Sequence, residues 1–333
     1  MAIIKAFRGL LNYLSIFTIV LGTIIGSINS ANAATLTLVA NDTWGDGDGG
    51  VLNDPTAGDN IVLADFTAII TQADGDNATI AVGAVTGVAD DGTPTLDINF
   101  ADDAATTDTI SIASVSVTAD SDTAGLIDID FNDGDTGTVS GTLTFTGDVD
   151  TGTETTGGAY GDITVDFADS AVDSVSGTVN FGGDVTGNLV LDEGAESIVL
   201  VMNGSAAQTY TGTINSGGGV GEGTLNITNT GGTVTFGSAL GTGTNGDLAL
   251  IDLTAAGVTA SFSGAVETTT LTNTGTVTFD STLTGATTTL ETGSTGTFTG
   301  KLTATTKLDL QGTGTAYIGY GNTKTASSNN VAI

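Results

Sequence analysis

The segment DIDFNDGD, Asp128 to Asp135, holds the closest gathering of groups able to do chemistry: Asp128, Asp130 and Asn132 at alternate positions, then Asp135. Carboxylates and amide carbonyls are the hard oxygen donors that Ca²⁺ prefers, and a calcium loop begins with this spacing. The pattern then departs. Asp133 stands where the loop needs a Gly for its sharp turn, and Val139 where a bidentate Glu would close the site. Two readings stand: a weak Ca²⁺ site on Asp128, Asp130, Asn132 and Asp135, or solvated carboxylates in Asx-type turns. GDGDGG, Gly45 to Gly50, leaves the same choice, since no regular Gly-Asp array follows it.

Other chemistries are narrowed by what is missing. There is no Cys, so thiolate catalysis, thiolate metal sites and disulfides are excluded. There is no His, which removes the usual general base and the commonest transition-metal ligand. The only basic residues are Lys5, Arg8, Lys301, Lys307 and Lys324, against a net charge of -33. A chain with no cation from Gly9 to Gly300 cannot neutralise a phosphate backbone or an anionic lipid surface. Two carboxyls facing each other across a cleft could hydrolyse a glycoside. Lyases of acidic sugars, by contrast, need a base that this stretch lacks. The expectation is a protein that is not an enzyme and takes no cofactor, Ca²⁺ aside. Aromatic platforms for sugars are few: Trp44, Tyr160, Tyr210, Tyr317 and Tyr320 are all that follow the first 33 residues, and Trp44 is the best lone candidate.

The chain opens as an address. Lys5 and Arg8 precede an apolar run from about Leu10 to Ile25, and Ala31-Asn32-Ala33 forms a small-x-small ending. This is the pattern of a secretory signal peptide cut after Ala33, and the run reads less well as a spanning helix. Export would leave a chain working outside the cytoplasm, with no membrane-spanning segment and with thirty-eight acids against three lysines.

The elements that must position any site come from a repeated phrase. Phe-x-[Gly/Ser]-x-[Val/Leu] occurs at Phe145, Phe181, Phe236, Phe262, Phe279 and Phe298. Phe262 to Phe279 is 17 residues and Phe279 to Phe298 is 19; the 36 residues from Phe145 to Phe181 read as two such periods. Around each phrase β-branched and polar residues alternate, as in Thr276-Val277-Thr278-Phe279, which is the strand signal. Gly-Thr and Asn-Thr-Gly punctuate the runs. Short strands at a period of about 20 residues predict a solenoid whose coils bury their apolar faces against one another. The fold class expected is all-β, a parallel β-helix, with tandem β-sandwich modules as the alternative. On the solenoid reading Phe262, Phe279 and Phe298 stack at equivalent interior positions.

The segment Ala206 to Gly237 resembles the β-strand repeat of autotransporter passengers: Thr209-Tyr210-Thr211-Gly212 precedes the strand Gly223-Thr224-Leu225. The Phe phrases are similar to those of rickettsial surface-antigen passengers, and the likeness covers about Gly137 to Gly314. It implies a right-handed β-helix on the outer face of a Gram-negative cell surface, serving adhesion or coat formation. Such passengers usually precede a membrane β-barrel, and the end YGNTKTASSNNVAI has no barrel-length segment.

Four regions are expected: the signal at 1–33, an Asp-rich β region or cap at 34–135, the Gly/Thr-rich repeats at 136–320 and a polar tail at 321–333. The function expected is that of an exported surface-layer or adhesin-like solenoid. A Ca²⁺-dependent carbohydrate- or matrix-binding module is the alternative, and a β-helix enzyme a remote one. Partners would be further copies of the chain or a host or matrix surface.

Overall fold

The computed structural model describes residues 35–37, 42–44, 60–63, 67–72, 79–88, 93–100, 107–118, 124–131, 140–154, 157–167, 176–192, 198–217, 221–242 and 246–318. Contacts divide the chain into Met1–Ala34 and Thr35–Ile333, and every described residue belongs to the second unit. These residues form strands and turns. None of them forms a helix long and apolar enough to cross a membrane.

Among the described residues, apart from one isolated antiparallel bridge, Thr153 with Tyr160, the strand pairings are parallel, each inner strand lying beside its counterparts one coil earlier and one coil later. The architecture is a parallel β-solenoid. Tandem sandwiches are thereby overturned, because sandwich sheets are built from antiparallel neighbours. Three faces run along it. Face 1 carries Ser140–Phe145, Ser176–Phe181, Ile198–Met202, Glu222–Ile227 and Leu248–Leu253 in register. Face 2 starts with Thr35–Thr37 beside Asn60–Val62 and ends with Thr276–Phe279, Thr295–Phe298 and Thr315–Ile318. Face 3 stacks Asp42–Trp44, Thr67–Gln72, Thr95–Phe100, Leu126–Phe131, Asp162–Phe167, Asn188–Asp192 and Ile214–Ser216. It continues through Leu240 to Val266, Leu283 and Leu302. The ladder crosses position 135 without a break, since Thr107–Thr118 pairs with both Ser140–Phe145 and Val149–Asp150.

The Phe phrase is a corner. Phe ends one strand pointing inward, the Gly or Ser two residues on takes the bend, and the closing Val or Leu points inward from the next face. Phe145, Val149, Phe181, Val185, Phe236, Leu240, Phe262, Val266, Phe279 and Leu283 are all buried. The residue after each Phe stays in the ladder: Gly182 donates its N–H to the Phe145 carbonyl at 2.8 Å, and Ser263, Asp280 and Thr299 donate to Phe236, Phe262 and Phe279 at 2.9 Å each. At Gly264 the coil below approaches so closely that a Cβ would collide with the Ser238 backbone, so only glycine fits there.

Phe262, Phe279 and Phe298 do stack on consecutive coils of face 2, with centroids 4.8 and 5.5 Å apart and planes within 7° of parallel. The stack extends back through Phe236 to Tyr210. The periodicity expected for the earlier phrases does not hold. Phe145 pairs directly with Phe181, so their 36-residue interval is one coil and not two. Phe236 pairs with Phe262, so the 26-residue step is also one coil. Phe145 and Phe181 moreover turn the corner from face 1 to face 2, while the four later phrases turn from face 2 to face 3. The phrase recurs because a three-residue corner between inward side chains has few solutions, whichever faces it joins.

Candidate functional site

Among the described residues, acidic side chains gather on the outer surface of face 3. Its strands repeat a second phrase: LDINF from Leu96, IDIDF from Ile127 and ITVDF from Ile163. Alternation drives Leu96, Ile98, Phe100, Ile127, Ile129, Phe131, Ile163 and Val165 into the core. The residues between them must then face outward. Register brings Asp97 beside Asp128, Asn99 beside Asp130, Asp130 beside Asp166, and Asp166 beside Asp192. Neighbouring strands lie about 4.8 Å apart, so Asp97 with Asp128, and Asp130 with Asp166, are like-charge neighbours along the solenoid. Burial raises the Asp128 carboxyl above the usual aspartate range.

Of the four residues named for Ca²⁺, Asp128 and Asp130 are therefore on one outer face of one strand, two residues apart. Their nearest acidic neighbours by register are Asp97 and Asp166, from adjoining coils. Asn132 and Asp135 lie outside the described residues. Among the described residues no three acidic groups are arranged to hold a metal ion. The ladder escaped sequence reading because its members are 26 to 36 residues apart; the signal was the repeated x-[Asp/Thr]-x-[Asp/Asn]-Phe ending at Phe100, Phe131 and Phe167.

Several other acids are committed to the backbone. Asp148 Oδ1 accepts the Asp184 N–H at 2.9 Å, and Asp184 Oδ1 accepts the Thr209 N–H at 2.7 Å, so the Asp of FTGDV and FGGDV ties one corner to the next. Asp150 Oδ1 accepts the Gly152 N–H two residues on, an Asx turn. Further along, burial raises Glu267, and the charge of Asp247 and a hydrogen bond to it raise it further. Asp252 is raised by burial and by Glu291.

The aromatic candidates divide. Tyr210 is fully buried at the head of the ring stack, donates its hydroxyl to the Gly187 carbonyl at 3.2 Å, and is pushed by burial far above the usual phenol range. Tyr160 is half-buried in its bridge with Thr153. Tyr317 is 60% exposed on the last described strand. Trp44 lies opposite Ile70 in register on face 3, and Tyr320 is outside the described residues. Inside the core, Gln208 joins the Phe181 and Gly183 carbonyls and the Gly204 N–H, all at 2.8 Å, and accepts from Asn229 at 2.8 Å. That network closes a corner and leaves no reactive group over.

No family model matches the sequence, and neither a curated protein nor a solved structure is detectably similar to it.

Proposed function

We propose that the chain is an exported structural solenoid of the outer face of a Gram-negative cell surface, serving as a surface-layer or adhesin-like scaffold in the manner of the passengers it resembles, and not as an enzyme. The observation that carries this reading is the continuous ladder from Thr35 to Ile318. In it the repeated Phe phrase and the Asp148 and Asp184 side chains serve coil-to-coil contact, and the acids of face 3 lie on its outer surface. An extended surface of this kind resists aggregation through its charge and offers long flat faces to a matrix. The leader-like residues 1–33 supply the route out of the cell. Expression in a Gram-negative host with an epitope after Ile333 tests it. The expected result is a chain beginning at Ala34, labelled by antibody on intact cells and removed by external proteinase K. An intact leader with the chain retained in the cytoplasm would end the proposal.

A further inference from the structure

The two described ends of the solenoid match. On face 2 the strand Thr35–Thr37 pairs only with Asn60–Val62, and Thr315–Ile318 only with Thr295–Phe298, among the described residues. Each therefore leaves one edge of backbone N–H and C=O groups for another strand. Both belong to the same column: Leu36 stands over Ile61 at one end and Ile318 over Phe298 at the other. At the carboxyl end the core is cut open. Tyr317 and Ile318, at 60% and 49% exposure, are the exposed large hydrophobics of the described residues, and Leu302, Leu310 and Ala316 are only partly covered.

The ends differ in charge. From Lys301 onward there are three lysines and one acid, Asp309, which is paired to Lys307 at 2.6 Å. From Asp42 to Asp76 there are eight aspartates and no base. We propose that the solenoid binds a second copy of itself head to tail, Thr315–Ile318 of one copy pairing in parallel with Thr35–Thr37 of the next so that Ile318 falls in register with Leu36. Opposite charge favours this order, and lysine end against lysine end is disfavoured. The contact is heterologous, so it adds copies along the axis without closing. The inference rests on the removal of residues 1–33 in the reading above and is tested on purified chain beginning at Ala34, so that its failure is distinct from a failure of export.

The absence of cysteine makes a direct test available. Continuing the register places Thr35 of one copy beside Tyr317 of another, a Cα separation of about 4.8 Å that a disulfide can bridge. The purified chain carrying Thr35→Cys and Tyr317→Cys together, oxidised at low salt, should give a ladder of covalent multimers, and neither single variant should. Sedimentation velocity of the unsubstituted chain should show concentration-dependent association. Lys301→Glu with Lys307→Glu, both at exposed positions, should weaken it about tenfold, as should 0.5 M NaCl. Multimers that appear only after residues 319–333 are deleted would give the edge to the chain's own tail and overturn the proposal. Dimers from Tyr317→Cys alone would show like ends meeting and overturn it too, as would a monomer at every concentration.

Discussion

Gly177 lies against the ring of Phe131 so closely that a Cβ there would come within 2.7 Å of its Cε2. Gly141, its register partner one coil earlier, faces the same ring. Two inward glycines on face 1 thus leave the room that a phenylalanine on face 3 fills. Gly177→Ala should cost about 1–3 kcal/mol by overpacking. Adding Phe131→Leu should return part of that loss, a coupling that chemical denaturation of the two single variants and the double variant would measure.

The ring stack predicts a graded series. Phe279 has rings on both sides, at 4.8 Å to Phe262 and 5.5 Å to Phe298. Phe279→Ala should destabilise by about 3–5 kcal/mol, and Phe279→Leu by less. Phe298, whose next neighbour is the half-exposed Ile318, should tolerate truncation better, because each coil answers only to its neighbours. Urea melts of the three variants would rank them.

Acidity should stabilise the fold. Burial raises the Asp128, Asp252 and Glu267 carboxyls, with Glu291 adding to Asp252 and Asp247 to Glu267. A raised carboxyl holds its proton more tightly in the folded chain than in the unfolded one. Stability should therefore rise as pH falls from neutrality through the raised values, the gain being complete only below about pH 4, once the unfolded groups are protonated too. Exposed Asp309 is lowered by Lys307 and acts in the opposite sense. Melting temperature against pH in 0.5 M NaCl, which screens the overall charge, would show the rise. Glu267→Gln should flatten it and raise the melting temperature at pH 7.

The outer ladder of face 3 should be improvable. Asp166 stands between Asp130 and Asp192. Asp166→Asn relieves the like charge beside Asp130 and should stabilise by about 0.5 kcal/mol at low ionic strength. The gain should shrink at 0.5 M salt, where the Debye length is only a few ångströms.

The strand alternation and the stacking of Phe262, Phe279 and Phe298 were legible because both are local: one face per residue parity, and coils of 17 and 19 residues with little between strands. The longer coils were not. A loop such as that between Asp150 and Asp162 adds residues without changing the register of Val149 on Val185, and nothing local marks its length as slack. Reading 36 residues as two coils was the result. Asp128 and Asp130 were visible as a chemical pair, but their neighbours Asp97 and Asp166 lie 31 and 36 residues away. Only pairing brings them together, and pairing is set by inward residues such as Ile98, Ile129 and Val165.

The varied coil lengths also predict how the molecule yields to a pull along its axis. Every strand lies across that axis, so tension on the ends opens the backbone ladder one bond at a time and peels off the terminal coil before loading the next. Each release converts an axial rise of about 4.8 Å into an unravelled length of about 3.4 Å per residue. Coils of 17 to 20 residues beyond Phe262 would lengthen the chain by about 55–65 Å a step, and the coil from Phe145 to Phe181 by about 115 Å. Drawn out in a force spectrometer, the protein would behave as a spool that pays out in unequal measured lengths, and the sequence of those lengths would spell the order of its loops.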